Sequence, residues 1–222
     1  MFARALAAMC CLLNIAPSAE RPEPVAPPRR EVVVYLRTAA GQPAQPVEEM
    51  KRESKALLEP AGYTLAWRRL PNAVGEVVDV PLVVVELRGT CQAPRRGDEL
   101  APLLNPSSLA STSVVNGDVL PFSWLECGTL SRMLAPALTA MGSRRDYLYG
   151  RAMGRLIAHE LFHILTHTRG HDMGGVAKPY FSAQDILAEH FEFEASTLAR
   201  FQEPAPADAA EVSGEGLEEA GR

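Results

Sequence analysis

The sequence predicts an α+β fold, and three observations support this prediction. Runs of β-branched and aromatic residues in the first half are separated by turn residues, which is typical of strands. One proline-free stretch in the second half repeats apolar residues at helical spacing, which predicts a long helix. The chain has 222 residues, 47% of them hydrophobic, which is enough for one well-buried domain.

The first half predicts the order strand, helix, strand, strand. Glu31–Arg37 is a β-branched run that predicts the first strand. Residues 47–58 place apolar side chains among charged ones, as an exposed helix does, until a proline and a glycine end it. Tyr63–Leu70 alternates in polarity and Val77–Leu87 is a second long apolar run, so two more strands follow.

The middle of the chain predicts a long loop and then a hairpin. Residues 88–112 contain glycine, proline and serine without a period, which is typical of a loop. In Val114–Leu120 an Asn-Gly pair separates two short apolar runs. This pattern predicts a small hairpin or an edge strand before Pro121.

The most regular segment predicts a helix from Arg144 to about His167. Its apolar residues recur every three or four positions. Ser143 and Asp146 have the spacing of a capping box at its start. Gly170 lies just beyond its expected end, where a residue with positive φ commonly reverses the chain.

The stretch His159-Glu160-Leu161-Phe162-His163 is the HExxH pattern, and it lies within this helix. The spacing puts two imidazoles one turn apart on one face, with a carboxylate beside them. Two such imidazoles can bind zinc, and the glutamate can then act as the general base of a hydrolysis. The pattern therefore predicts a metal site with a catalytic Glu160.

A zinc ion bound by these two imidazoles needs a third protein ligand. His167 continues the spacing, but it is eight residues from His159, about 12 Å of axial rise, so the two rings cannot reach one ion. His171 follows on the segment that returns after the helix. We expect the metal ligands to be His159, His163 and His171.

The HExxH pattern on a long helix, followed by a glycine and a further histidine, resembles the zincin metallopeptidases and is most similar to their metzincin branch. The order of elements before the helix is also similar to that of zincins, in which a twisted mixed sheet packs against the active-site helix. Metzincins have the pattern HExxHxxGxxH, so the seven residues between His163 and His171 are a longer spacing. The HELxH stretch is also similar to uncharacterised secreted bacterial proteins.

The resemblance implies a cofactor and a reaction. One zinc ion, held by three neutral imidazoles, would keep one position open for a water molecule whose pKa falls to near 7. Glu160 would take a proton from this water and pass it to the leaving amine, so that a peptide bond is hydrolysed. The expected substrate is a peptide or a protein.

Two alternatives follow from the same residues. In another zincin branch the third ligand is a glutamate from a following helix, and Ser182-Ala-Gln-Asp185 predicts such a helix, with Glu189 or Glu192 beyond its start. The other alternative is a secreted zinc-binding or structural protein without turnover. Replacement of Glu160 separates an enzyme from such a protein, because hydrolysis would stop while the metal remained.

The two ends of the chain predict export and disorder. Residues 1–19 have a short basic start, an apolar run and then small residues, which is typical of a secretory signal peptide. They imply a secreted or periplasmic protein with no stable membrane insertion after cleavage. Residues 20–30 are a proline-rich spacer, 31–202 the zincin-like domain, and 203–222 a disordered acidic tail.

The charge of the chain argues against one class of function, and its cysteines predict a disulfide. The net charge is -5, and the tail alone holds six acidic residues against one arginine, so the rest of the chain is nearly neutral. Nucleic-acid binding therefore has no electrostatic support. Cleavage of the signal would remove Cys10 and Cys11, and we expect Cys91 and Cys127 to pair in an oxidising compartment.

Overall fold

The computed structural model describes residues 29–69, 81–98 and 108–203. The predicted signal peptide (1–19), most of the spacer and nearly all of the acidic tail lie outside the described residues. The described segments form strands and α-helices in the order β1 (Arg30–Thr38), α1 (Ala44–Leu58), β2 (Tyr63–Arg69), β3 (Leu82–Arg88), β4 (Ala110–Val115), β5 (Asp118–Glu126), α2 (Cys127–Leu138), α3 (Arg145–Leu165), α4 (Ala183–Leu187) and α5 (Ala195–Arg200). The fold class is α+β, as predicted. None of the helices in these segments is long and apolar enough to span a membrane.

The strands form one five-stranded mixed sheet in the order β2-β1-β3-β5-β4. β1 runs parallel to β2 and β3, β3 runs parallel to β5, and β4 is the antiparallel strand at the edge. Residues Val32–Leu36 of β1 are all buried, which shows that both faces of the sheet are covered at its centre. The continuous apolar run in the sequence is thus the mark of a central parallel strand.

Two boundaries predicted for the middle of the chain are wrong. β4 begins at Ala110, inside the stretch expected to be a loop, and β5 continues through Pro121 to Glu126. The register between β4 and β5 shifts between Thr112 and Val114, so Pro121 lies where the ladder is interrupted. A proline is tolerated there because its nitrogen, which has no hydrogen, is not required for a ladder hydrogen bond.

The predicted hairpin joins β4 to β5. Asn116 and Gly117 have φ angles of 53° and 100°, and two left-handed residues in succession are what a tight hairpin turn requires. The turn makes β4 and β5 antiparallel neighbours. In this position β4 also contacts α3.

Helix α3 packs against α1 at very short distance. A Cβ atom at Gly150 would lie 2.5 Å from the Cβ of Glu49. A Cβ atom at Gly154 would lie 2.6 Å from the Cβ of Glu53 and 2.7 Å from the backbone oxygen of Met50. Since these distances are far below van der Waals contact, only glycine permits the approach, and the two glycines fix the position of α3.

The start of α3 differs from the prediction. A 3₁₀ turn, Gly142–Arg144, leads directly into the helix, and no side chain caps it. Ser143 therefore lies in a wound turn and not in the extended conformation that a capping side chain needs. The expected capping box with Asp146 is not formed.

Helix α2, which the sequence analysis did not predict, begins directly after β5. Its first residue, Cys127, forms a disulfide with Cys91, and their Cα atoms are 4.8 Å apart. The hydroxyl of Tyr149 in α3 donates to the backbone oxygen of Cys127 at 2.9 Å, and that of Ser131 donates to the Tyr149 hydroxyl at 3.0 Å. Burial raises the pKa of Tyr149 to about 12, so it remains a donor at neutral pH. These contacts tie α2 to α3.

The two ends of the described chain meet. The guanidinium of Arg30, at the start of β1, donates to the backbone oxygen of Phe201 and lies 4.5 Å from the centre of the Tyr63 ring. Phe201 is 1% exposed, and its ring packs against those of Tyr63, Phe162 and Phe193. Phe201, the residue directly after α5, is therefore part of the core.

Candidate metal centre

The two histidines of the HExxH motif face each other from successive turns of α3. Their Nε2 atoms are 3.1 Å apart, and both side chains are buried. Nδ1 of His159 lies 2.7 Å from the backbone oxygen of Val176, and Nδ1 of His163 lies 2.8 Å from that of Thr168. Because a carbonyl oxygen only accepts hydrogen bonds, each Nδ1 carries a proton and donates it.

This assignment leaves two unprotonated Nε2 atoms directed at one another. Two lone pairs at such a distance repel unless a cation is near both. Two nitrogens bound to one tetrahedral zinc ion at about 2.0–2.1 Å are about 3.3 Å apart, close to the separation of these Nε2 atoms. The rings are thus arranged as metal ligands whose orientation is held by backbone carbonyls.

His171 approaches the same point from the segment after α3. Its ring stacks on that of His159 with centroids 5.2 Å apart, and it meets the ring of His163 edge-on at 4.7 Å. Ligand atoms of the three rings all lie within 4.8 Å of one another. Within the part of the chain that the structure describes, no other group of histidine, cysteine or acidic side chains is placed in this way. His171 is exposed, so the site opens to solvent on its side.

The chain reverses after α3 at His167, whereas the sequence predicted a reversal at Gly170. The backbone nitrogen of Thr168 donates to the oxygen of His163 at 3.1 Å, and that of His167 donates to Ile164 at 3.3 Å, which is the pattern of a Schellman motif. His167 has a φ of 48°, whereas Gly170 has no positive φ. The helix ends earlier than expected, and His167 is an exposed turn residue outside the histidine group.

A glycine turn brings the backbone to His159. Gly175 has a φ of 60°, and a Cβ atom there would collide with the backbone oxygen of Glu192. The nitrogen of Val176 donates to that same oxygen at 3.0 Å, which leaves the carbonyl of Val176 directed at His159. The side chain of Met173 is 98% exposed, so it does not lie beneath the histidines.

Glu160 extends from α3 towards β4 and is 5% exposed. The hydroxyl of Thr112 donates to its Oε2 atom at 2.6 Å. Burial raises the pKa of Glu160 to about 7, and the hydrogen bond from Thr112 opposes that rise. Such a carboxyl group can accept and return a proton near neutral pH. Thr112 was not predicted as a site residue, because it lies in the stretch expected to be a loop, 48 residues from Glu160 in the chain.

Burial, which is only partial at His171, also favours the neutral form of the three histidines. It lowers the pKa of His159 to about 3, and it lowers the pKa of His163 and of His171 as well. Repulsion from the His171 ring adds to the lowering at His159 and His163. Only the neutral imidazole has a lone pair for a metal, so the rings are ready to bind one at neutral pH.

Glu189 does not reach the histidines. The helix predicted from Ser182 is present as α4, where Ser182 and Asp185 form a capping box, but it ends at Leu187. Glu189 and Glu192 are exposed and do not join the histidine group of the described structure. This geometry gives no support to a glutamate as third ligand.

Two clefts meet at His159 and Glu160. The larger, of about 490 Å³, is mainly apolar, and its lining includes Leu109, Met133, Leu156, Phe181 and the exposed Tyr180. The other, of about 350 Å³, contains polar groups from β4 and from the segment before His171, among them Ser111, Thr112 and Arg169. Glu160 therefore lies between an apolar cleft and a polar one.

The donor set fits a zinc ion. Three imidazoles, carbonyl partners behind two of them, and a side open to solvent are features of catalytic zinc sites. Imidazole also binds copper, nickel and iron, so metal analysis is the test of zinc itself. Comparison of the chain with protein-family models, with curated proteins and with solved structures finds no match.

Proposed function

We propose that this protein is a secreted zinc metallopeptidase with a zincin-like fold. His159, His163 and His171 would hold one zinc ion, and Glu160 would be the general base. The observation that carries the proposal is the pair of Nε2 atoms 3.1 Å apart in rings that both donate their Nδ1 protons to backbone carbonyls. In a purely structural pair, one ring would carry a second proton and donate it from Nε2 to the other ring, and burial opposes this charge because it lowers the pKa of both rings.

The architecture around α3 supports the zincin-like part of the proposal. The helix lies against a five-stranded mixed sheet, and the antiparallel edge strand β4 runs beside Glu160. A mixed sheet packed against the active-site helix is what the resemblance to zincins implies. The site and the sheet are therefore consistent with one functional unit.

Glu160 would carry out the proton transfers of peptide hydrolysis. A zinc ion at the three histidines supplies acidification of a water molecule and polarisation of the substrate carbonyl. Glu160 accepts a proton as the water oxygen bonds to the carbonyl carbon, and it gives that proton to the amide nitrogen as the carbon–nitrogen bond breaks. Thr112 holds the Oε2 atom, which leaves Oε1 for the transfer.

Strand β4 supports an extended peptide as the substrate. It pairs with β5 on one side and forms the edge of the described sheet, so a further strand can be added along it. Ser111 and Thr112 of β4 line the same cleft as Glu160 and His163. A peptide paired with β4 would pass directly by the proposed general base.

Export is the part of the proposal that rests on the N-terminal sequence. Residues 1–19 have the composition of a signal peptide, and a disulfide such as Cys91–Cys127 persists in oxidising compartments. N-terminal sequencing of the exported protein is expected to start near residue 20, and its mass is expected to show no free thiol. A protein that stays in the cytoplasm with both thiols free would contradict export.

Metal analysis and one substitution test the enzymatic function. We expect one zinc ion per chain after purification without chelators, and cleavage of a mixture of unstructured peptides at discrete bonds. Glu160→Gln is expected to lower the hydrolysis rate by about 10²- to 10⁴-fold, because the general base is lost, while zinc stays bound. Glu48→Gln, on the exposed side of α1, is the matched control and is expected to change neither.

The outcomes separate the two functions considered. A wild-type chain that binds no metal contradicts the proposal. A wild type that binds zinc but hydrolyses none of the peptides would favour the alternative, a zinc-binding protein without turnover. Hydrolysis that survives Glu160→Gln would show that the reaction does not use this carboxylate.

A further inference from the structure

The ring of His171 is held differently from the two rings on α3. His159 and His163 each donate a proton to a backbone carbonyl, whereas no described residue hydrogen-bonds to the ring of His171. His171 is also exposed and lies on a segment without regular secondary structure. Apart from its contacts with the other two rings, its position over the site therefore depends on the backbone that carries it.

That backbone is fastened to α5 through Asp172. Its Oδ1 atom accepts a hydrogen bond from Nη1 of Arg200 at 2.9 Å, and its Oδ2 atom accepts one from the hydroxyl of Thr197, which is fully buried. The backbone nitrogen of Asp172 donates to the oxygen of Ala177 at 2.9 Å. Both carboxylate oxygens of the residue next to His171 are thus held by one helix.

The same guanidinium holds the other end of the segment. Nη2 of Arg200 donates to the hydroxyl oxygen of Thr168 at 2.9 Å, and the carbonyl of Thr168 accepts the Nδ1 proton of His163. The guanidinium carbon also lies 5.0 Å from the centre of the Phe162 ring in α3. Arg200 therefore contacts the residue beside His171, the hydrogen-bond partner of His163, and the residue that precedes His163.

We propose that Arg200 is a positioning residue of the candidate metal centre. By holding both ends of the segment 168–172, it sets the separation between His171 and the two histidines on α3. This inference rests on the proposed function, because it takes the three histidines to be metal ligands. Two guanidinium nitrogens on two separate acceptors make a geometry that lysine cannot reproduce. The Arg200–Asp172 pair is about three-quarters buried, with side-chain exposures of 28% and 22%, so solvent screens it only in part.

Metal affinity is the first test of this role. We expect Arg200→Ala and Asp172→Asn to weaken zinc binding about 10- to 100-fold, because residues that orient a ligand contribute to affinity without touching the ion. The lysine of Arg200→Lys keeps the charge but reaches one acceptor at a time. This variant is therefore expected to lose less zinc affinity than Arg200→Ala. Affinity is measured on the full chain by competition with a chelator of known strength.

Cobalt(II) separates positioning from a general loss of stability. Its visible absorption depends on the arrangement of its ligands, so we expect the spectra of the cobalt-loaded Arg200 and Asp172 variants to differ in shape from that of the wild type. The melting temperature of each metal-free variant is measured in parallel. If Arg200→Ala does not fold, Asp172→Asn, which preserves side-chain volume, provides the test in its place. Arg52→Ala, which removes an exposed ion pair on α1, is the control and is expected to leave affinity and spectrum unchanged.

The result that overturns the inference differs from the result that overturns the proposed function. If the wild type binds zinc and the folded Arg200 and Asp172 variants bind it with the same affinity and the same cobalt spectrum, Arg200 has no positioning role. If the wild type takes up neither zinc nor cobalt, the proposed metal centre itself is wrong.

Discussion

At the scale of single residues, the candidate centre depends on which ring nitrogens carry protons. The carbonyls of Val176 and Thr168 fix that choice for His159 and His163. The HExxH spacing was sufficient to predict that these two rings share a helix face. It could not predict the two carbonyls, because any residue type supplies one and only the path of the chain after α3 brings them to the rings.

Single substitutions are expected to rank the histidines. Replacing His159, His163 or His171 by alanine removes tight zinc binding, because two remaining ligands cannot fix the ion. His167→Ala and Glu189→Ala leave zinc in place, since both side chains are exposed and outside the histidine group. Elemental analysis of the five variants gives the stoichiometry, with circular dichroism as the control for folding. Zinc lost with Glu189→Ala but kept with His171→Ala would contradict the assignment.

His167 also allows a test that increases stability. At a φ of 48° a residue with a Cβ atom is strained, and glycine is not. His167→Gly is therefore expected to raise the free energy of unfolding by about 1 kcal/mol, with zinc stoichiometry unchanged. Urea denaturation of the metal-free protein measures the effect. Arg169→Gly, at a neighbouring position without positive φ, is the control and is expected to lower stability.

At the scale of elements, the spacing of apolar residues predicted those helices and strands in which the apolar residues are the buried ones. These elements are β1, α1, β2, β3 and α3. β4 does not, because a short edge strand made of Ala-Ser-Thr-Ser looks like a loop until it is paired with β5. α2 was missed because a glycine and Pro136 lie within it, and its place is fixed by packing and by the disulfide at Cys127. Non-local pairing therefore decided the elements that the sequence did not predict.

The contact between α1 and α3 makes a strong prediction about glycine. Gly154→Ala is expected to destabilise the protein by roughly 1–3 kcal/mol, because the new Cβ atom would press on Glu53 and on the backbone of Met50. Thermal or urea unfolding measures the change. Gly128→Ala in α2 is the matched control, since its Cβ atom would meet only the end of the Arg132 side chain at 3.6 Å. That control is expected to be neutral or to stabilise by up to about 1 kcal/mol.

At the scale of the whole molecule, the described chain makes a single sheet with the helices that pack on it, and the candidate centre lies where α3, β4 and the segment after α3 come together. The sequence was sufficient to predict the α+β class and the grouping of three histidines from α3 and from the segment after it. It did not predict β4, and it did not predict that α5 holds the segment after α3, because α5 is short and its pattern is weak.

Truncation at two positions tests how far the domain extends. Removal of everything after Gln202 is expected to leave the melting temperature and zinc binding unchanged, because the acidic tail has too few apolar residues to form a core. Removal of everything after Ala199 is expected to lower both, since Arg200 and the buried Phe201 are lost. A large drop in melting temperature for the chain that ends at Gln202 would contradict this boundary of the domain.

The contact between Arg30 and Phe201 has a consequence for how the protein is made. β1 lies between β2 and β3 in the sheet, yet Phe201, whose backbone oxygen accepts the hydrogen bond from Arg30, is synthesised 171 residues later. Under the proposed export, a chain that enters a secretion channel by its N-terminus cannot form this contact until residue 201 has passed, and Arg200 passes only one residue earlier. Folding would then be completed only after this part of the chain has crossed the membrane. The proposed peptidase activity would begin only there, and the proteins of the producing cell would not be exposed to it.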